Sequence, residues 1–127
     1  MVSTDLRHPN LRHRDIKRVL AHVRYGIRWD AGTNTGSEWV YASLEDAVHK
    51  QQLSDWLCSK SISEHADALM LGGGYEDCTS IVWEDILRDL KRFFDKRKIL
   101  VVSKDLEWII EYEQMGVARF GRWPNAM

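Results

Sequence analysis

The sequence predicts a single α+β domain spanning residues 1–127, built from a mostly antiparallel sheet and about three helices. Three segments have apolar residues at intervals of three and four, the spacing of helices with one buried side. Other segments are short apolar or alternating runs separated by glycine-rich turns, which is typical of antiparallel strands. With 127 residues, 44% of them apolar and 29% charged, the chain has the size and composition of one folded domain.

Two helices are predicted in the first half of the chain. The first runs from about Leu11 to Arg24 and has an outer face of arginine and lysine. The second begins at Ser43, whose hydroxyl can cap the helix while Asp46 stands at the third helical position, and it continues toward Leu57. The polar pair Gln51-Gln52 interrupts the apolar stripe of this helix, so the pattern is compatible with a bend there.

The third predicted helix, from Trp83 to Lys96, has the clearest pattern. Acids lie in its first turn and a Lys-Arg-Lys sequence lies at its end, an arrangement that complements the helix dipole. A single apolar stripe runs along the helix and predicts one buried side. The stripe is formed by Trp83, Ile86, Leu87, Leu90, Phe93 and Phe94.

Two hairpins are predicted between the helices. Residues 25–29 and 39–41 alternate in polarity on either side of a turn-rich loop, which indicates a first hairpin. Ala68 to Leu71 and Cys78 to Val82 indicate a second hairpin, connected through Gly72–Gly74. Because no Lys-Ser/Thr follows these glycines and the next charges are acidic, we interpret them as a connection rather than a phosphate-binding loop.

Further strands are predicted in the C-terminal third. Lys98 to Ser103 is a short apolar run rich in β-branched residues, which fits a buried strand. Residues 106–115 fit either a strand or a helix. Their aromatic and β-branched content favours a strand, with Met115-Gly116 as the turn and Val117 to Phe120 as the returning strand.

The sequence lacks the patterns of catalytic and metal sites. No Cys-x₂-Cys, His-x₃-His or His-Glu-x-x-His spacing occurs, and His65, although near Glu64 and Asp67, has no placed nucleophile. We therefore expect no enzyme, no metal and no cofactor. No apolar run approaches the roughly 20 residues that span a membrane, and no export signal is visible. We expect a cytoplasmic protein in which Cys58 and Cys78 are reduced and packed.

Charge is unevenly divided along the sequence. Residues 1–28 carry a net charge of +5, residues 29–87 carry −9 and residues 88–127 carry +3. An acidic middle suits a basic protein partner, because complementary charge raises the association rate and excludes wrong partners. Trp39 lies beside these acids, and aromatic side chains in such places often anchor interfaces. The residues predicted to contact the partner are Asp30, Glu38, Trp39, Glu45, Asp46, Asp55, Glu76 and Asp77.

The closing segment reads Asp105-Leu-Glu-Trp-Ile-Ile-Glu-Tyr-Glu-Gln-Met-Gly-Val-Ala-Arg-Phe-Gly121. With the acidic middle and the missing catalytic signature, it resembles bacterial immunity proteins, which neutralise polymorphic and contact-dependent growth inhibition toxins. The resemblance implies a non-enzymatic inhibitor that forms a tight, stoichiometric complex with a cognate toxin, for example a basic nuclease, inside the producing cell. It transfers no contact residue, so the acidic set depends on charge alone.

A second hypothesis is a small nucleic-acid-associated regulator that uses the basic segment 11–28. Several of its cations would neutralise phosphates: Arg12, Arg14, Lys17, Arg18, Arg24 and Arg28. The net charge of −1 and the lack of a helix-turn-helix pattern favour the inhibitor, and a solvated basic face explains the same residues more simply.

Overall fold

The computed structural model describes residues 18, 20–21, 26–30, 37–42, 47–72, 78–90, 98–113 and 116–123. Within these residues seven strands form one antiparallel sheet, and two helices have defined bounds. In chain order the elements are β1 (Arg28–Trp29), β2 (Val40–Tyr41), α1 (Ala47–Cys58), β3 (Asp67–Gly72), β4 (Cys78–Val82), α2 (Trp83–Arg88), β5 (Ile99–Ser103), β6 (Trp108–Glu113) and β7 (Val117–Arg122). The predicted class, α+β with mostly antiparallel strands, is confirmed.

The strands follow the order β1-β7-β6-β5-β3-β4 across the sheet, and β2 also pairs with β7. The β3–β4 hairpin and the β6–β7 hairpin are both confirmed. Residues 108–113 form a strand rather than a helix. Gly116 has a φ of 88° in the turn between β6 and β7, a conformation that glycine adopts without strain.

Alternation along the central strands gives the sheet two buried faces. The helix face packs against α1 and α2, and its largest buried side chains include Trp83, Phe120, Leu53 and Leu57. The opposite face carries a second cluster, formed by Leu20, Leu69, Leu71, Leu100, Val102, Leu106 and Ile109, with Ile27, Trp29 and Trp123 partly buried against it. Trp108 links the aromatic core of the helix face, with ring centroids 5.1 Å from Trp83 and 6.0 Å from Phe120.

The prediction of a first hairpin is wrong. β1 and β2 both pair with β7 and not with each other: Trp29 lies opposite Gly121, and Val40 lies opposite Ala118. Alternating polarity indicates which side of a strand is buried, but it does not identify the neighbouring strand. The edge of β7 that does not pair with β6 is long enough to pair with both two-residue strands, one near each end.

The helices also differ from prediction. The helix that begins at Trp83 ends at Arg88, because Asp89 has φ −144° and ψ 70°, and aspartate competes for backbone hydrogen bonds inside helices. Residues 91–97 lie outside the described residues. So does most of the predicted helix 11–24, of which Arg18, Leu20 and Ala21 are helical. The described residues therefore contain two bounded helices rather than about three.

The second predicted helix is present as α1, which runs without interruption through Gln51-Gln52. Its proposed cap at Ser43 lies outside the described residues. Cys58, at the end of α1, is a free thiol and is exposed rather than packed. No helix in the described part of the chain is long and apolar enough to cross a membrane.

Candidate partner-binding surface

Half of the predicted contact residues have described positions. Asp30, Glu38, Trp39 and Asp55 are placed by the structure, whereas Glu45, Asp46, Glu76 and Asp77 lie outside the described residues. Asp30, Glu38 and Trp39 lie at the edge of the sheet formed by β1 and β2, and Asp55 lies on α1. The partner-binding role of all eight stays a prediction.

Asp30 directly follows β1 and pairs with two cations of its own chain. Its backbone N–H donates to the carbonyl oxygen of Phe120 at 2.8 Å, which extends the pairing of β1 with β7. Its carboxylate accepts a hydrogen bond from Lys60 Nζ at 3.1 Å and lies 3.8 Å from Arg122 Nε. The charge of Asp30 is therefore largely neutralised within the protein.

Lys60 is buried at the rim of the helix face. Its Nζ lies 4.7 Å from the ring centroid of Trp56 and 5.0 Å from that of Phe120. A buried ammonium is costly unless it is paired, and here the carboxylate of Asp30 and the faces of two rings supply the partners. We call this group, Asp30, Lys60, Trp56 and Phe120, the Lys60 site.

Glu38 and Trp39 meet a different cation. The guanidinium of Arg119 lies 3.7 Å from the ring centroid of Trp29 and 4.5 Å from that of Trp39. It donates hydrogen bonds to Glu38 Oε1 and, at 3.2 Å, to Glu111 Oε1. Trp39 is half-buried. We call Arg119, Trp29, Trp39, Glu38 and Glu111 the Arg119 site.

The structure does not bring Asp30 and Glu38 together as one acidic patch. Phe120 lies under Lys60 on the helix face, and Arg119, its neighbour on β7, points to the opposite face. The two carboxylates therefore pair on opposite sides of the same strand. Asp55 is separate from both and is exposed on α1, where it accepts a hydrogen bond from Gln51 Nε2 at 2.8 Å.

An exposed apolar pair lies beside these residues. Tyr41 is 51% exposed and Val48 is 63% exposed. The ring of Tyr41 stacks on His49, the residue after Val48, with centroids 4.9 Å apart. Asp55 lies seven positions after Val48 on α1, so these two side chains share one side of the helix. We call Tyr41, Val48, His49 and Asp55 the Tyr41 patch.

Sequence reasoning missed this patch, although the sequence contains its signal. Val48 reads as part of the apolar stripe of the second helix, but it lies about 140° around the helix from Leu53, which is at the middle of the buried side. Tyr41 follows the buried Val40 in a strand, so alternation points its side chain outward.

His65, the histidine weighed as a catalytic base, lies at the surface. His65 is almost fully exposed, 3.9 Å from Glu84, which also pairs with Arg88. A pocket of about 350 Å³ lies beside the β5–β6 turn, but Ser103 Oγ there accepts hydrogen bonds from the N–H groups of Glu107 and Trp108. Searched across the described positions, the chain has no group of three side chains suited to hold a metal ion.

Comparisons with protein-family models, with curated proteins and with solved structures found no match. Function must therefore be inferred from the residues of this chain. Two features distinguish its surface: an edge of the sheet held by the Lys60 and Arg119 sites, and an exposed apolar patch beside that edge. All four residues of the patch belong to the acidic middle of the sequence, whereas Arg119 and Phe120 come from β7.

Proposed function

We propose that this protein is a non-enzymatic inhibitor that binds a basic protein partner through the Tyr41 patch and the acids around it. We further propose that the partner is a cognate toxin of the kind that bacterial immunity proteins neutralise, for example a nuclease, and that the complex forms in the cytoplasm of the producing cell. The proposal is supported by the exposure of Tyr41 and Val48, which lie in the acidic middle of the sequence.

The chemistry of the patch suits an interface. Tyrosine is enriched among the residues that dominate binding energy, since its ring contributes a large apolar area and its hydroxyl a hydrogen bond. Val48 extends the apolar area, and Asp55 adds a charge on the same side of α1 about two turns further on. In the sequence, Glu45 and Asp46 stand between Tyr41 and the start of α1, so the patch is bordered by acids on the chain.

In this arrangement the charged and the apolar contacts affect different steps of binding. The acids steer a basic partner and raise its association rate, while the apolar anchors slow its release. Asp30 and Glu38 already pair with Lys60 and Arg119, so they support this edge from within. Direct contact with the partner falls to the unpaired acids, Asp55 among them.

The proposal is tested by capturing the partner from the source cells with tagged protein at about 0.15 M salt, before and after nuclease treatment. We expect the wild-type chain to retain one basic protein in equal amount. A Tyr41→Lys, Val48→Lys variant should lose it, and reversal of Glu45, Asp46, Glu76 and Asp77 to Lys should slow association about tenfold. Asp105→Lys, at an exposed acid in the β5–β6 turn, is the control.

Circular dichroism should show that the Tyr41→Lys, Val48→Lys variant and the Asp105→Lys variant fold, because exposed substitutions usually change stability by less than about 0.5 kcal/mol. The same measurement checks that the fourfold reversal folds. If the wild type and the Tyr41→Lys, Val48→Lys variant retain the partner equally, the Tyr41 patch is not the binding surface. Recovery of nucleic acid alone, lost on nuclease treatment, would favour the regulator that uses segment 11–28.

A further inference from the structure

The edge that borders the Tyr41 patch is attached to the sheet by few backbone hydrogen bonds. β1 and β2 are two residues long, and their ladders contact opposite ends of β7. Beyond these ladders, Asp30 N–H donates to the carbonyl oxygen of Phe120 and Ala42 N–H to that of Gly116, both at 2.8 Å. Short strands of this kind need side-chain contacts to stay in place.

Arg119 lies on β7 between the two ladders. Trp29, in β1, pairs with Gly121 on one side of it, and Val40, in β2, pairs with Ala118 on the other. The guanidinium reaches both edge segments, because it contacts the ring of Trp29 and the ring of Trp39, the residue before β2. One side chain therefore contacts both short strands or their immediate neighbours.

The same guanidinium connects the edge to the centre of the sheet. Its hydrogen bond to Glu38 holds the segment before β2, and its hydrogen bond to Glu111 spans to β6, where Glu111 lies directly opposite Arg119. Glu111 is 9% exposed, so its carboxylate needs a cation nearby. The side chain of Arg119 is itself 17% exposed.

We propose that Arg119 is the positioning residue of the partner-binding edge. It holds β1 and β2 against β7, and Glu38 acts as its counter-ion rather than as a contact for the partner. The Tyr41 patch then depends on Arg119 for its geometry although Arg119 belongs to no part of it. The link to a partner rests on the proposed function, whereas the hold on the edge strands is a property of the free protein.

The chemistry requires arginine. A guanidinium is planar, stacks on aromatic rings and offers several N–H donors in fixed directions. Lysine keeps the charge but has one ammonium, which cannot stack on Trp29 and bond to two carboxylates with the same geometry. We therefore expect Arg119→Lys to retain part of the effect and Arg119→Met to retain none.

The test is amide hydrogen exchange on the free, full-length protein. In Arg119→Met the exchange rates of the Asp30 and Ala42 amides should rise about tenfold or more, while amides in β3 and β5 change by less than about twofold. Arg119→Lys should fall between this variant and the wild type. Arg88→Met is the matched control, since it removes exposed ion pairs with Glu84 and Asp85 inside α2, and none of these residues belongs to the two short ladders.

Near-ultraviolet circular dichroism gives a second signal, because loss of the guanidinium changes the surroundings of the Trp29 and Trp39 rings. If Arg119→Met does not fold, Trp39→Leu removes one of the two ring contacts and should raise the same two exchange rates by a smaller factor. Unchanged exchange at Asp30 and Ala42 would overturn the proposal. An equal rise in β3 and β5 would also overturn it, since it would indicate global unfolding.

The role of Arg119 in partner binding is tested with the basic protein that the wild-type chain captures. We expect Arg119→Met to retain less of it, with recovery in Arg119→Lys, and Glu38→Gln to retain most of it. If the Asp30 and Ala42 amides exchange faster in Arg119→Met but this variant captures as much of the basic protein as the wild type, Arg119 does not position the partner-binding surface. If the edge loosens but the wild type captures no protein, the proposed function fails while the hold of Arg119 on β1 and β2 stands.

Discussion

The two faces of β7 each carry a cation that contacts two aromatic rings and a carboxylate. On the helix face, Lys60 lies over Trp56 and Phe120 and pairs with Asp30 at 3.1 Å. On the opposite face, Arg119 contacts Trp29 and Trp39 and pairs with Glu38 and Glu111. The two groups contain the same kinds of side chain, but different parts of the fold surround them.

The rings under Lys60 belong to the main core. Phe120 is fully buried and packs against Trp56 and Trp108, so the rings under this cation are also held by apolar contacts of the core. The rings beside Arg119 are half-buried and belong to short edge segments. Similar groups of a cation and two rings therefore have different structural roles. The Lys60 site is supported by the core, whereas the Arg119 site supports the edge.

The largest expected effect is on the helix face. Phe120→Ala removes the ring beneath Lys60 and opens a cavity next to Trp56 and Trp108, which should lower the free energy of unfolding by about 3–5 kcal/mol. Phe120→Leu, which keeps most of the volume, should cost less than half of that. Urea unfolding of both variants measures the difference. A loss below about 1 kcal/mol in Phe120→Ala would contradict the view that this site is part of the core.

A smaller effect is expected from Gly121→Ala on the opposite face. A Cβ at this position would lie 2.5 Å from Ile27 Cγ2 and 2.9 Å from Trp29 Cε3, so both side chains must move away from β7. Such overpacking should cost about 1–3 kcal/mol. Gly26→Ala is the control, because its Cβ would meet Trp123 Cδ1 at an ordinary 3.5 Å. Thermal unfolding compares the two, and an equal effect at both positions would be evidence against close packing of Trp29 on β7.

The smallest of these effects should follow loss of the Lys60 charge. Lys60→Met keeps the apolar stem over Trp56 but leaves Asp30 with Arg122 alone, 3.8 Å away. Since Asp30 is about one third exposed and water screens it, we expect a loss of about 1–2 kcal/mol. Lys50→Met, an exposed change on α1, should have almost no effect. A double-mutant cycle with Asp30→Asn measures the coupling, and a coupling near zero would show that the pair contributes nothing.

The longer elements could be predicted from the sequence because their signals are local. The β3–β4 and β6–β7 hairpins join alternating runs through short connections, so neighbours in the chain are neighbours in the sheet. The partner of β2 could not be predicted in this way. Its two residues indicate a buried side at Val40 and an exposed side at Tyr41, but β7 lies more than 70 positions later.

The sequence by itself determined the fold class, the acidic middle and the two hairpins of long strands, because composition and periodicity act over a few residues. Only the tertiary structure decided which charges remain available. Glu38 meets Arg119 across 81 positions and Asp30 meets Lys60 across 30. Electrostatic attraction depends on distance in space rather than along the chain, so folding neutralises two of the predicted contact acids and leaves Asp55 and the Tyr41 patch facing outward.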